Sequence, residues 1–208
     1  ALIAAPLRVA ELVWLQETQQ WGHLKHLKDL ISIATGTLDE RDAAVAEGRP
    51  YVVVNHENLL DLLHGNPDAG FGALVIDELS KFKGPRSRRW QPLLKMTKDI
   101  RIRVGLTGSP TPNGVEDLFG GVRVIDQGKH LGRSWDRWRN EHMTLLNDGP
   151  IKLWQARPDT LPKLMADVAP ITFTLADADW KPPPIKHIRV PVELPSVIRK
   201  LYDELARE

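Results

Sequence analysis

The chain has 208 residues, of which 42% are hydrophobic and 26% are charged, and its formal net charge is +1. This length predicts one large domain, or one domain with part of another, and the composition is typical of a globular rather than a disordered protein. The near-neutral charge means that any nucleic-acid surface must be a local patch, and the lack of cysteine excludes disulfides and thiolate metal sites.

No apolar run has the length of a membrane span, and no signal-peptide pattern is present. We therefore expect a protein of the cytoplasm with no membrane partner. Because the chain opens on Ala1 inside an apolar run, we also expect it to be a piece of a longer protein.

Short β-like runs alternate with helical patterns through the first half of the chain. Strands are predicted at residues 1–5, 30–34, 51–55, 73–76 and 100–106. Helices are predicted at residues 9–20, 38–47, 57–64 and 90–98, with a basic loop at residues 81–89 before the last of these. This alternation predicts an α/β fold with a parallel sheet and helices on both of its faces.

The pattern changes after residue 112. Helices are predicted at residues 115–124, 133–143, 157–168 and after Pro195, and strands at residues 171–175 and 187–194. Three consecutive prolines predict a stiff linker at residues 179–186. We therefore expect a main domain at residues 1–178 and the start of a second domain at residues 187–208.

The most informative stretch is the unbroken apolar run 73–76 that leads into Asp77 and Glu78. Such a run is typical of a strand buried on both faces, and ligands of open α/β sheets bind at the carboxyl ends of the strands. One carboxylate there can hold magnesium and a second can orient an attacking water, which is the chemistry of nucleotide hydrolysis. An ordinary helix cap is the alternative interpretation of the same acidic pair.

Three segments carry a family resemblance. In chain order they are APLR at residues 5–8, VIDELSKFK at 75–83 and GLTGSPTPN at 105–113. Together they resemble the first RecA-like domain of superfamily two helicases, of the P-loop NTPase type, in their Swi/Snf-type branch. The segments NHENL at 55–59 and DQGKHLGR at 126–133 resemble the phage-encoded members of that branch. The resemblance is strong over about residues 1–143 and weak beyond them.

The resemblance implies ATP and Mg²⁺ as cofactors and an ATP-dependent helicase or translocase as the parent protein. Asp77 matches the acid that holds magnesium, and Glu78 matches the acid that polarises the hydrolytic water. Thr107, Gly108 and Ser109 match the loop that couples nucleotide state to DNA binding.

The implied partners are DNA, in its duplex form, and a second RecA-like domain of the same parent chain, in a bacterial host or phage-infected cell. Arg8, Asn55 and His56 lie in segments that match DNA-backbone contacts of the family. The basic loop adds Lys81, Lys83 and Arg86 as candidate phosphate contacts, with a merely solvated loop as the alternative.

One departure from the family pattern is the phosphate-binding loop, since no Gly-Lys-Ser or Gly-Lys-Thr occurs in the 208 residues. We therefore expect this chain by itself to bind ATP poorly and to hydrolyse it hardly at all. A non-catalytic DNA-binding or scaffold module is the main alternative. A metal-dependent nuclease is a weaker one, because the spacing from Glu78 to Lys81 is wrong for such a site.

Overall fold

The computed structural model describes residues 1–147, 149, 152–174 and 184–205. Its centre is a five-stranded sheet in which every neighbouring pair of strands is parallel. The strands, which run in the spatial order β2-β3-β1-β4-β5, are β1 (Leu2–Ala5), β2 (Ile31–Ile33), β3 (Tyr51–Asn55), β4 (Ala73–Ile76) and β5 (Ile102–Gly105). The predicted parallel sheet is therefore confirmed.

Helices connect the strands and continue after the sheet. In chain order they are α1 (Trp14–Gln20), α2 (Leu38–Ala46), α3 (Leu59–Gly65), α4 (Trp90–Met96), α5 (Val115–Asp126), α6 (Trp135–His142), α7 (Thr160–Val168) and α8 (Ser196–Leu205). Shorter turns of helix are a π-helical segment at Val9–Val13 and 3₁₀ segments at Gly22–Leu30, Leu79–Phe82 and Ala169–Ile171. An antiparallel hairpin of β6 (Met143–Asn147) and β7 (Leu153–Ala156) follows α6.

Alternate residues of the strands enter two different cores. Leu2 and Ala4 of β1 face a large core to which α3, α4 and α5 contribute, whereas Ile3 and Ala5 face a smaller core with Trp14 and Leu15 of α1. Side chains of successive strand residues point to opposite faces, so a strand covered on both sides is apolar throughout. The helices therefore lie on both faces of the sheet, as the sequence predicts.

Two predicted strands are wrong. In the segment 171–175, Ile171 ends a 3₁₀ turn and residues 172–174 are irregular, while Leu175 lies outside the described residues. Residues 187–194 are irregular as well. A strand needs a hydrogen-bonding neighbour, and among the described residues neither segment has one.

The chain divides into two compact units, Ala1–Thr172 and Phe173–Glu208. The second unit contains α8, as predicted after Pro195. The predicted boundary at residue 178 and most of the predicted linker 179–186 lie outside the described residues, so the predicted division into domains stays a prediction. In the described part of the chain, no helix combines the length and the apolar character needed to cross a bilayer.

Candidate functional site

All five parallel strands end at the same edge of the sheet, and predicted site residues follow four of them. Just beyond the strands, the His56 N–H donates to the Ala5 carbonyl at 3.1 Å, and the Asp77 N–H donates to the Ala4 carbonyl at 2.8 Å. The Leu106 N–H donates to the Ile76 carbonyl at 2.8 Å. The segments that follow β1, β3, β4 and β5, which carry the predicted site residues, are therefore brought to one edge by backbone hydrogen bonds.

Residues 77–82, which we call the acid loop, turn sharply after β4. Glu78 has φ 50° and ψ 57°, a left-handed conformation that costs a residue with a Cβ about 1–2 kcal/mol. Backbone hydrogen bonds stabilise the turn, because the Leu79 N–H donates to the Leu106 carbonyl at 2.8 Å and the Lys81 N–H donates to the Glu78 carbonyl at 2.9 Å. The Glu78 side chain makes no capping hydrogen bond to the following 3₁₀ turn, so the helix-cap interpretation is not supported.

Asp77 is the predicted magnesium ligand. Its Oδ1 accepts the Glu78 N–H at 3.0 Å, and the side chain is half-buried. In the described part of the chain, no group of three or more His, Cys, Asp and Glu residues is arranged to hold a metal ion. Magnesium is commonly bound by one or two carboxylates together with waters and substrate phosphates, so Asp77 fits that use.

The segment after β5, residues 107–109, forms a tight turn of its own. The Thr107 hydroxyl donates to the Ser109 carbonyl at 2.9 Å and accepts the Ser109 N–H at 3.3 Å. Among the described residues its partner is thus Ser109 and neither acid. The connection to the acid loop runs instead through the bond from Leu79 to Leu106, one residue before the turn.

The segment after β3, residues 55–58, which we call the β3 loop, turns two of its predicted DNA contacts inward. The Asn55 and His56 side chains are only 5% and 3% exposed. Asn55 Nδ2 donates to Glu57 Oε2 at 3.0 Å, and His56 Nε2 donates to the Asp77 carbonyl at 2.7 Å. Contact of these two side chains with DNA stays a prediction, whereas Arg8 after β1 is exposed.

The imidazole of His56 is buried between the acid loop and the β3 loop. It meets the Phe82 ring edge-on, with ring centroids 5.5 Å apart. Burial lowers the pKa of His56 below its usual value, and the hydrogen bond to the Asp77 carbonyl and the charges of Glu57 and Asp77 offset this only in part. The ring is therefore neutral at pH 7 and carries its proton on Nε2, because the acceptor there is a carbonyl. No sequence pattern indicates this contact, which joins residues 21 positions apart.

The predicted basic contacts differ in their surroundings. Lys81 is exposed, and Arg86 lies 3.8 Å from Asp136 in a pair whose side chains are both 71% exposed. Lys83 Nζ instead binds Asp117 Oδ2 at 2.8 Å. Lys81 and Arg86 are thus the members of this set that are open to an external phosphate.

The family of the chain follows from comparison of its whole sequence with known proteins. The sequence profile described as the SNF2-related domain matches residues 1–203. The chain belongs to the SNF2-related domain family. This places it in the Swi/Snf branch of helicase superfamily two, as its motifs predict.

Two curated relatives are longer proteins. Protein p41 of Acyrthosiphon pisum secondary endosymbiont phage 1 is 32% identical over 222 aligned residues, which cover 100% of this chain and 47% of p41. The human DNA annealing helicase and endonuclease ZRANB3 is 24% identical over 199 residues, which cover 90% of this chain and 18% of ZRANB3. The chain therefore spans half or less of the length of these relatives.

A solved structure shows the same fold. The SWI2/SNF2 ATPase core of Sulfolobus solfataricus in complex with double-stranded DNA superposes with a TM-score of 0.60 at 20% identity. The match covers 86% of this chain and 34% of that one. The RecA-like α/β fold of this SNF2-related domain is thereby confirmed.

Proposed function

We propose that this SNF2-related domain is most of the first motor domain of an ATP-dependent DNA translocase. The observation that carries the proposal is the acid loop, in which a left-handed Glu78 is tied to the segment after β5 by the bond from Leu79 to Leu106. Strain in a non-glycine residue is concentrated at functional sites and persists where the surroundings fix it. The DNA-bound SWI2/SNF2 core and the human annealing helicase support DNA as the partner.

The chemistry proposed for the site divides between the two acids. ATP would bring Mg²⁺ to Asp77, and the metal would neutralise charge on the phosphates. Glu78 is exposed on the loop beside it and would orient and polarise the attacking water. Residues 107–109 would couple the state of the nucleotide to DNA binding. They come directly after Leu106, whose carbonyl accepts the Leu79 N–H of the acid loop.

The residues present do not form a complete phosphate site. The 208 residues contain no Gly-Lys-Ser or Gly-Lys-Thr sequence, whose backbone N–H groups and lysine cradle phosphates in P-loop enzymes. We therefore assign turnover to the parent protein, together with a second RecA-like domain, and expect the 208-residue chain alone to lack it.

The test is a DNA-stimulated ATPase assay on the parent protein and on its Glu78→Gln variant. Glutamine keeps the size of the side chain but cannot polarise water as a carboxylate does, so we expect stimulated kcat to fall about 100-fold or more, at the lower end of what general acid–base groups contribute. Affinity for duplex DNA should be retained.

Asp99→Asn is a matched control, because Asp99 is an exposed acid that precedes β5 and so lies toward the amino end of the strands, opposite the site edge. This variant should turn over like the wild type. Wild-type parent protein that binds DNA in a salt-sensitive way without ATP turnover would contradict the motor proposal and favour a non-catalytic DNA-binding module. Clear turnover by the 208-residue chain would contradict the assignment of catalysis to the parent.

A further inference from the structure

His56 lies at the junction of three segments at the carboxyl edge of the sheet. Its backbone N–H donates to Ala5 at the end of β1, and its ring Nε2 donates to the Asp77 carbonyl after β4 at 2.7 Å. The ring edge packs on Phe82 at the end of the acid loop. One buried side chain of the β3 loop therefore contacts both ends of the acid loop.

The acceptor of this hydrogen bond is significant because of its position in the backbone. The Asp77 carbonyl belongs to the peptide unit that joins Asp77 to Glu78, and a planar peptide unit turns as one body. Its orientation fixes ψ of Asp77 and φ of Glu78 together. The bond from His56 therefore acts directly on the left-handed conformation of Glu78.

One further hydrogen bond holds the N–H of the same peptide unit, and two hold the next peptide unit. The Glu78 N–H is bound by Asp77 Oδ1, the Glu78 carbonyl by the Lys81 N–H, and the Leu79 N–H by the Leu106 carbonyl. Among the described residues, His56 is the one whose side chain holds the Asp77 carbonyl. Among the described residues, loss of this donor would leave that peptide unit held through its N–H alone, by the side chain of Asp77 itself.

The β3 loop, which carries His56, is exposed at its tip. The β3 loop is a tight turn in which the Asn58 N–H donates to the Asn55 carbonyl at 3.1 Å, and Glu57 at its tip is exposed. His56 thus lies between this closed backbone turn and the Asp77 carbonyl that its ring holds.

We propose that His56 is a positioning residue that sets the orientation of the Asp77–Glu78 peptide unit and, through it, of Glu78. This inference rests on the proposed function and replaces the direct DNA contact that the sequence predicts for His56. The imidazole orients the acid loop for water activation and does not touch the nucleotide.

The test compares His56→Phe with His56→Gln in the parent protein. Phenylalanine retains a ring against Phe82 but has no donor, whereas glutamine retains an N–H donor. One buried hydrogen bond corresponds to about a tenfold change in rate, so we expect stimulated kcat to fall about tenfold in His56→Phe. The KM for ATP and the affinity for DNA should stay near wild type, and His56→Gln should recover part of the lost kcat.

A second measurement is independent of turnover. Amide hydrogen exchange of the 208-residue chain should be faster at Glu78 and Leu79 in His56→Phe than in wild type, with the rate partly restored in His56→Gln. Faster exchange throughout the sheet in His56→Phe, or unchanged exchange at these two amides, would overturn the proposed link.

The kinetic outcomes separate this inference from the function on which it rests. A wild-type parent without DNA-stimulated turnover contradicts the proposed function, and the exchange experiment still tests the link. An active parent whose His56→Phe variant keeps full kcat, or loses only DNA affinity, overturns the role of His56 and leaves the proposed function in place.

Discussion

Gly120 is the residue at which α5 comes closest to the segment that follows the acid loop. A Cβ at this position would lie 1.6 Å from the Lys83 carbonyl oxygen. The Gly120 carbonyl in turn accepts the indole N–H of the buried Trp90 at 3.0 Å. Glycine is therefore required here by the close approach of two backbones, and a side chain would push α5 away from the site edge.

The change Gly120→Ala should destabilise the chain in spite of the higher helix propensity of alanine. The clash is with backbone, which cannot rotate away, so we expect a loss of about 3 kcal/mol, at the upper end of overpacking costs. Urea unfolding monitored by circular dichroism measures it. Gly22→Ala is the control, because a Cβ at Gly22 would have open space within 4 Å, and equal stability of the two variants would contradict the close approach.

At the scale of elements, α5 is fastened to the acid-loop side of the sheet by a charge pair. Lys83 Nζ donates to Asp117 Oδ2 at 2.8 Å, and the same oxygen accepts the Asn113 N–H at 2.9 Å. The Asp117 side chain is only 9% exposed. Removal of the lysine leaves a nearly buried carboxylate with one partner fewer, which is costly. Lys83 thus has a structural role beside any contact with DNA.

Lys83→Met and Lys81→Met should therefore affect different properties, the first stability and the second DNA binding. Loss of the Lys83 pair should lower the free energy of unfolding by about 1–3 kcal/mol, the cost of leaving a buried polar group unsatisfied. Lys81 is exposed, so its change should leave stability intact while it weakens DNA binding and reduces the salt slope by about 1, as for one lost phosphate contact.

Thermal unfolding and DNA titrations at several salt concentrations measure the two effects. A stable Lys83→Met variant with weak DNA binding would show that Lys83 serves DNA rather than α5. The same result for both variants would contradict the division of roles.

Elements whose sequence signals are local could be predicted, and those that depend on distant partners could not. The 3₁₀ segment Gly22–Leu30 was missed, although Leu24, Leu27 and Leu30 repeat every three residues, the period of that helix. The β6–β7 hairpin was missed, although an Asp-Gly pair separates its two apolar runs, a common hairpin signal. The strand predicted at residues 187–194 has suitable alternation, yet no neighbouring strand among the described residues.

At the scale of the whole molecule, the sheet and its site edge follow from the sequence because parallel strands place their carboxyl ends together. Asp77 and Glu78 were therefore predicted at the correct edge from the run that precedes them. The inward orientation of His56 could not be predicted, since it depends on the carbonyl of a residue on another strand. Hydrophobic periodicity predicts which face of an element is buried. It does not predict which polar group a buried ring such as His56 hydrogen-bonds.

The aromatic packing that joins α5 to α6 also gives the protein an optical probe. The rings of Trp135 and Trp138 are stacked with centroids 5.3 Å apart and an interplanar angle of 20°, and Phe119 lies 5.1 Å from Trp138. The His142 ring also lies 5.1 Å from Trp138. Aromatic rings held in fixed packing give a near-ultraviolet circular dichroism signal, so loss of the α6 packing should reduce that signal.

The same contact should make the emission of Trp138 sensitive to acid. Burial, followed by the nearby Lys163, lowers the pKa of His142 below its usual 6.5, so the imidazole is neutral at pH 7 and gains its proton only as the pH falls below that value. A protonated imidazole quenches an adjacent indole, and we expect fluorescence to drop through that range in the wild type. In His142→Gln this drop should be reduced, and an unchanged titration would mean that the quenching arises elsewhere. Tryptophan fluorescence would then monitor the packing of α6 against α5 without any added label.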